Sequence, residues 1–179
     1  MKTKLISAVI LASTAMASQF AAAADGTITF NGTITAQTCT INGNGSGSNN
    51  FTVTLPTVSS STLATAGQTA GRTPFSIALT NCTPNSGNVH TFFEAGPTTD
   101  TTTGNLILNA GGASNVQIGL QNSDFTNITA GAADASQNSK SVAIASGSAT
   151  LNYYAQYIAT GAATAGAANT SVMYTMAYQ

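Results

Sequence analysis

The sequence predicts an all-β sandwich, and three observations carry that expectation. Roughly eight short segments alternate apolar and polar residues with the period of a half-buried strand. Stretches rich in Gly, Asn and Ser separate them at the spacing of sandwich strands. Nothing in the 179 residues carries a convincing long helical pattern or an internal repeat.

The first two dozen residues stand apart. Lys2 and Lys4 precede an apolar run at 5–17, and residues 21–24 offer small side chains. A basic start, a short apolar middle and a small-residue exit read as a secretory signal peptide, residues 1–24, cleaved before Ala24 or before Asp25. No later run is apolar and long enough for a transmembrane helix.

The elements follow in order. DGTITFNGTITAQTC (25–39) alternates, with Ile28, Phe30, Ile34 and Ala36 on one side and threonines on the other, so a strand is expected before Cys39. TINGNGSGSNN (40–50) has loop composition. FTVTLPTVS (51–59) alternates through Phe51, Val53 and Leu55 until Pro56, which suits a strand end or edge. A polar connection leads to TPFSIALTNC (73–82), with Phe75, Ile77 and Leu79 in alternation and Cys82 at its end. NVHTFFEAG (88–96) reads as a strand and PTTDTTTGN (97–105) as a loop. LILNAGGASNVQIGLQN (106–122) reads as two short strands around a glycine turn, and 125–141 as mostly loop. The tyrosines of SATLNYYAQYIATG (148–161) favour strand over helix. TSVMYTMAYQ (170–179) alternates through Val172, Tyr174, Met176 and Tyr178.

Charge and cysteine content narrow the function. Without residues 1–24 the cations are Arg72 and Lys140, against Asp25, Glu94, Asp100, Asp124 and Asp134, a net charge of −3. The absence of a basic patch argues against nucleic acid or anionic membrane as a partner. A surface built from Thr, Asn, Ser and Gly suits packing against further copies, because few charges need desolvation. In an exported chain the two cysteines, Cys39 and Cys82, read as one disulfide that ties the ends of two strand regions. The closed loop of about 44 residues stabilises by roughly 4 kcal/mol in the chain-entropy model.

Chemistry-bearing constellations are missing. Gly43, Gly45 and Gly47 lack the strand–loop–helix context and the Gly-Lys-Ser/Thr of a phosphate loop. Two cysteines and one histidine make no persuasive zinc site. His90 has Glu94 four residues on, but no Gly-x-Ser-x-Gly elbow accompanies it, and it is expected on a strand surface. Asp100, Asp124 and Asp134 lie in turn-like stretches. Tyr153, Tyr154, Tyr157, Tyr174 and Tyr178 read as core or sheet-face residues. The chain is expected to be no enzyme and to need no cofactor or metal.

An immunoglobulin-like sandwich ends on two neighbouring strands, and here the segment through Tyr178 stands where the first of them belongs. The expectation is an incomplete immunoglobulin-like β-sandwich lacking its last strand, with an unpaired edge and an apolar groove. The opening segment 25–36 is the strand without a home, and filling the groove of another copy joins the two facts.

At these residues the chain resembles the major subunits of type 1-like chaperone–usher fimbriae. The resemblance rests on the opening stretch with Phe30-Asn31-Gly32-Thr33-Ile34 before the first cysteine, on LPTVSSSTLATAGQTAGRTPFSIALTNC, on GASNVQIGLQN, and on the closing stretch with Tyr178 next to last. It implies residues 25–36 as an N-terminal donor-strand extension and 37–179 as a pilin domain. It also implies Ile28, Phe30, Gly32, Ile34 and Ala36 as the inserting face, and Val172, Tyr174, Met176, Tyr178 and Gln179 as the groove and chaperone-contacting strand. Gly32 would sit over a shallow pocket.

The implied partners are further copies in a filament, a periplasmic chaperone, an outer-membrane usher, and adhesin or adaptor subunits. The implied location is a cell-surface fimbria reached through the periplasm. A minor or adaptor pilin or a tip adhesin is the alternative. An adhesin usually carries a lectin domain ahead of the pilin domain, and the donor-like segment follows the signal peptide directly. A small exported β-sandwich enzyme is a remote one.

Overall fold

The strongest alternation, Phe75-x-Ile77-x-Leu79, lies at the centre of the longest strand. A computed structural model describes residues 25–179, so the expected signal peptide lies outside the described residues. The chain divides into two units, Met1–Ile34 and Thr35–Gln179. In the first, residues 26–34 form no regular secondary structure, and Ile28, Phe30 and Ile34 are 79, 87 and 101% exposed. The strand expected over 25–39 therefore does not form as such. An alternating segment becomes a strand only when a neighbour takes its backbone hydrogen bonds, and this one has no ladder partner.

The second unit is two antiparallel sheets. The first has the order β1–β2–β8–β5–β4, with β1 at Thr38–Gly43, β2 at Thr69–Thr83, β4 at Leu106–Ile107, β5 at Val116–Asn122 and β8 at Ala149–Ala159. A short β6, Asn127–Ile128, continues along the β4 edge of β5. The second sheet has the order β7–β3–β9: Val142–Ile144, Gly87–Phe93 and Tyr174–Tyr178. Among the described residues the helical content is one α-helical turn, α1 (Asp134–Gln137), and one 3-10 turn at Ser60–Leu63.

The core fills the space between the sheets. Phe75, Ile77, Leu79, Ile118, Leu120, Leu151 and Tyr153 come from the first; Val89, Phe93, Ile144 and Met176 from the second. Tyr153 joins them: its ring lies 5.5 Å from both Phe75 and Phe93, and its hydroxyl donates to Thr91 Oγ1 at 2.9 Å. Thr91 is fully buried, so this bond satisfies a hydroxyl that water cannot reach. The Cys39–Cys82 disulfide forms as expected and pins β1 to β2 where their register shifts.

Four expectations need correction. The loop read over 40–50 begins as strand, because β1 runs on through Thr40, Ile41 and Asn42 against β2. β2 starts at Thr69 rather than Thr73, crossing a bulge at Ala70/Thr73 where Gly71 takes φ +67°. Residues 51–59 are not a laddered strand, although Phe51, Val53 and Leu55 still alternate inward. His90 is buried rather than on a strand surface. It faces away from the core, but α1 lies over it and Asp134 Oδ1 sits 2.7 Å from its Nε2.

Candidate functional site

Between residues 49–55 and 168–178 an apolar groove opens into the core, with a volume of about 1030 Å³. Its floor is the sandwich interior itself: Phe75, Ile77, Phe93, Leu106, Ile118 and Leu120. One wall is β9 with the residues before it, where Val172, Tyr174, Met176 and Tyr178 turn inward. The other wall is Phe51, Val53 and Leu55.

The backbone geometry of β9 defines what the groove can accept. Glu94 N donates to Met173 O at 2.9 Å, and Asn88 and Gln179 exchange bonds at 3.0 and 2.8 Å. With His90 opposite Ala177 and Phe92 opposite Thr175, the odd-numbered residues bond to β3. In an antiparallel ladder the even-numbered residues then point their N–H and C=O groups to the other side. Val172, Tyr174, Met176 and Tyr178 thus aim backbone groups along the open edge and side chains into the groove. Across from them, the backbone of residues 51–58 makes no bond to other backbone among the described residues.

Two unsatisfied edges flank one apolar trough. An extended segment with alternate apolar side chains matches that arrangement: its backbone can bond to both walls while every second residue enters the floor.

Side-chain bonds anchor the walls. Tyr174 Oη donates to Asn49 O at 2.7 Å and bridges the groove. Its ring packs 6.0 Å from Phe51, which stacks 6.2 Å from Phe75. Phe51 in turn lies over Gly43, where any Cβ would strike its ring. Thr98 Oγ1 donates to Ser171 O at 2.5 Å and Thr170 Oγ1 to Ile107 O at 2.6 Å. Burial raises the Tyr174 and Tyr178 hydroxyls above their ordinary 10.0, so both remain neutral donors at physiological pH.

The expected site residues fall into two sets. Val172, Tyr174, Met176 and Tyr178 line the groove together; Gln179 sits beyond it, its main chain bonded to Asn88. Ile28, Phe30, Gly32, Ile34 and Ala36 are exposed. A Cβ on Gly32 would meet no atom within 4 Å, so nothing within its own chain requires a glycine there. Sequence reasoning missed the second wall. Phe51, Val53 and Leu55 were legible as an alternating segment ending at Pro56, but not as one edge of a gap.

The remaining polar constellations are structural. The Asp100 carboxylate accepts from Gln117 Nε2 and, capping its own turn, from Thr102 N, and these bonds lower its pKa. Gln137, fully buried, clamps both main-chain groups of Phe93. No group of three or more His, Cys, Asp or Glu that could hold a metal ion occurs among the described residues.

Comparison with known proteins places this architecture. The family model described as FimA, type-1 fimbrial protein, A, matches residues 55–179. The chain is 52% identical over 162 residues to the major fimbrial subunit SMF-1 of Stenotrophomonas maltophilia, covering 87% of this chain and 94% of that protein. It is 50% identical over 161 residues to the F17 fimbrial protein of Escherichia coli, covering 87% and 88%. Among solved structures, the P pilus rod subunit PapA shares the fold at a TM-score of 0.61 and 22% identity, covering 79% of this chain and 99% of that one.

Proposed function

Because the chain belongs to the type-1 fimbrial protein family and is a structural fimbrial subunit, we propose that it polymerises by donating residues 25–36 to the groove of a neighbouring copy. The observation that carries the proposal is the groove: an unpaired β9 edge and an unpaired 51–58 edge over an exposed core floor. The chain also carries a segment of the matching pattern, with Ile28, Phe30 and Ile34 exposed. Burying those three side chains yields about 5–9 kcal/mol gross. Ordering the segment subtracts from that and new ladder bonds add to it. A shallow stretch of the neighbour's groove would ask for a glycine at 32, and nothing within its own chain requires one.

Each copy gives one segment and receives another. Such a contact is heterologous and need not close, so it builds a filament. We assign the chain to the fimbrial shaft, in line with the relative described as a major subunit. Before assembly an apolar trough of this size needs cover. A periplasmic chaperone lending a strand to β9 and holding Gln179, followed by hand-over at an outer-membrane usher, supplies it after cleavage of residues 1–24.

The test uses a chain lacking residues 25–36 and a peptide spanning residues 25–37. Binding of the peptide, with a rise in unfolding temperature, is expected, and a Gly32→Leu peptide should bind markedly less well. A shortened chain that is fully stable alone and indifferent to the peptide refutes the mechanism.

A further inference from the structure

The outer face of the first sheet carries a feature that groove assembly does not use. Phe125 projects from the turn between β5 and β6 and is 49% exposed. It holds φ +67°, a left-handed conformation that a bulky residue adopts only at a cost. Its ring packs on Tyr154 at 5.0 Å, and the Arg72 guanidinium lies over it, 4.6 Å from the centroid. Arg72 Nε donates to the buried Gln156 Oε1 at 3.2 Å. The guanidinium is thus held between an aromatic ring and an amide. Its two terminal nitrogens bond to nothing among the described residues. That is the pose in which arginine grips a carboxylate with two parallel bonds.

Charge bookkeeping within the chain identifies the partner. Lys140, the other cation, is paired with Asp124. Asp134 is bound to His90, and both Asp100 oxygens already accept bonds. Asp25 belongs to the segment committed to the groove. Glu94 remains: among the described residues it has no cation, and only one of its oxygens is engaged, by Thr175 Oγ1 at 2.7 Å. Glu94 follows β3 on the outer face of the second sheet, the side away from Arg72.

We propose that the Arg72–Phe125 platform of one copy receives Glu94 of another copy within the fibre. The contact joins opposite faces of the sandwich, so it too is heterologous and repeats from copy to copy. It rests on the filament reading above, and it would account for a strained, exposed phenylalanine as the support that keeps Arg72 in place.

Zero-length cross-linking in whole fibres tests it. In an Arg72→Lys variant a carbodiimide can join the introduced amine to the Glu94 carboxylate as an amide; the carbodiimide takes up the lost water and leaves as a urea. A covalent ladder on denaturing gels is expected, absent from wild-type fibres treated alike and abolished when Glu94→Gln is added. Phe125→Ala on the Arg72→Lys background should cut the ladder several-fold. Fibres that assemble normally yet yield only monomer overturn this contact and leave the groove mechanism standing. A ladder indifferent to Glu94→Gln overturns the pairing. Binding of the 25–37 peptide by the shortened chain reads the groove mechanism independently, so its failure is distinguishable from failure of this contact.

Discussion

Phe30→Ala separates assembly from folding more cleanly than any groove substitution. Phe30 is 87% exposed, so truncating it removes almost no contact from its own chain. Its stability should stay within the ±0.5 kcal/mol typical of surface changes, roughly a 1–2 °C shift in Tm. In the neighbour's groove the same ring would be buried against a floor that includes Phe75, Ile118 and Leu120. Full burial of a phenylalanine side chain gives about 3 kcal/mol at the upper end, and alanine retains part of it, so the loss is about 2–3 kcal/mol. That corresponds to about 30- to 150-fold in Kd. The assay is competition: wild-type and Phe30→Ala peptides of residues 25–37 displace a labelled wild-type peptide from the shortened chain. Equal potency of the two peptides would refute the burial reasoning. A several-degree drop in the Tm of the full chain carrying Phe30→Ala would show instead that residue 30 packs within its own molecule.

Four further outcomes are expected. Replacing both Cys39 and Cys82 by Ser should cost about 4 kcal/mol, read as a drop of about 10 °C or more in thermal unfolding and matched by adding reductant to the wild type. Tyr153→Phe leaves the buried Thr91 hydroxyl without its 2.9 Å partner and should destabilise by about 1 kcal/mol in urea unfolding at unchanged m-value. Tyr174→Phe removes the bridge to Asn49 and should destabilise by about 0.5–1.5 kcal/mol, read in urea unfolding. The Asp124 carboxyl is lowered from 3.8 to about 2, first by its bond to Lys140 and then by Thr126. A depressed carboxylate stabilises the fold above its ordinary value and loses that contribution as pH falls through the folded value, here between about pH 4 and 2. Carbon-13 titration should place its midpoint near 2, rising toward 3.8 in Lys140→Gln.

Legibility in the sequence followed the physics of each element. Where alternation and burial coincide, as in Phe75-Ile77-Leu79 and Leu151-Tyr153-Ala155, the strand was readable from period alone. Cys39 and Cys82 were readable as a pair because an exported chain with two cysteines has one simple use for them. The lining of β9 was readable because Val172 to Tyr178 keeps its period up to and past the point where the ladder starts at Tyr174. Two things were not. Residues 51–55 have a strand's pattern without a strand's partner, and periodicity records which face is apolar, not whether the backbone is paired. His90 depends on α1, a single turn placed by Gln137 clamping Phe93 from 44 residues away, and no local signal encodes such a contact.

The groove is a property of the walls more than of the floor. An apolar trough of about 1030 Å³ gains free energy by closing, so something must hold its sides apart. The disulfide fixes β1 on β2, which places Gly43 beneath Phe51; the Phe51 ring then stands upright between Phe75 and Tyr174 as a spacer. The Tyr174–Asn49 bond joins the two walls, and the Thr98–Ser171 and Thr170–Ile107 bonds anchor the residues before β9 to β4 and the loop ahead of it. Each of these ties anchors a wall without using the edge that faces the gap: the even-numbered main-chain groups of β9 and those of 51–58 stay unspent. A single extended segment laid between the two edges can bond to both at once. Collapse of the walls onto each other would satisfy neither floor nor edges as well, because Phe51 and Tyr174 would have to leave the ring stack that supports them.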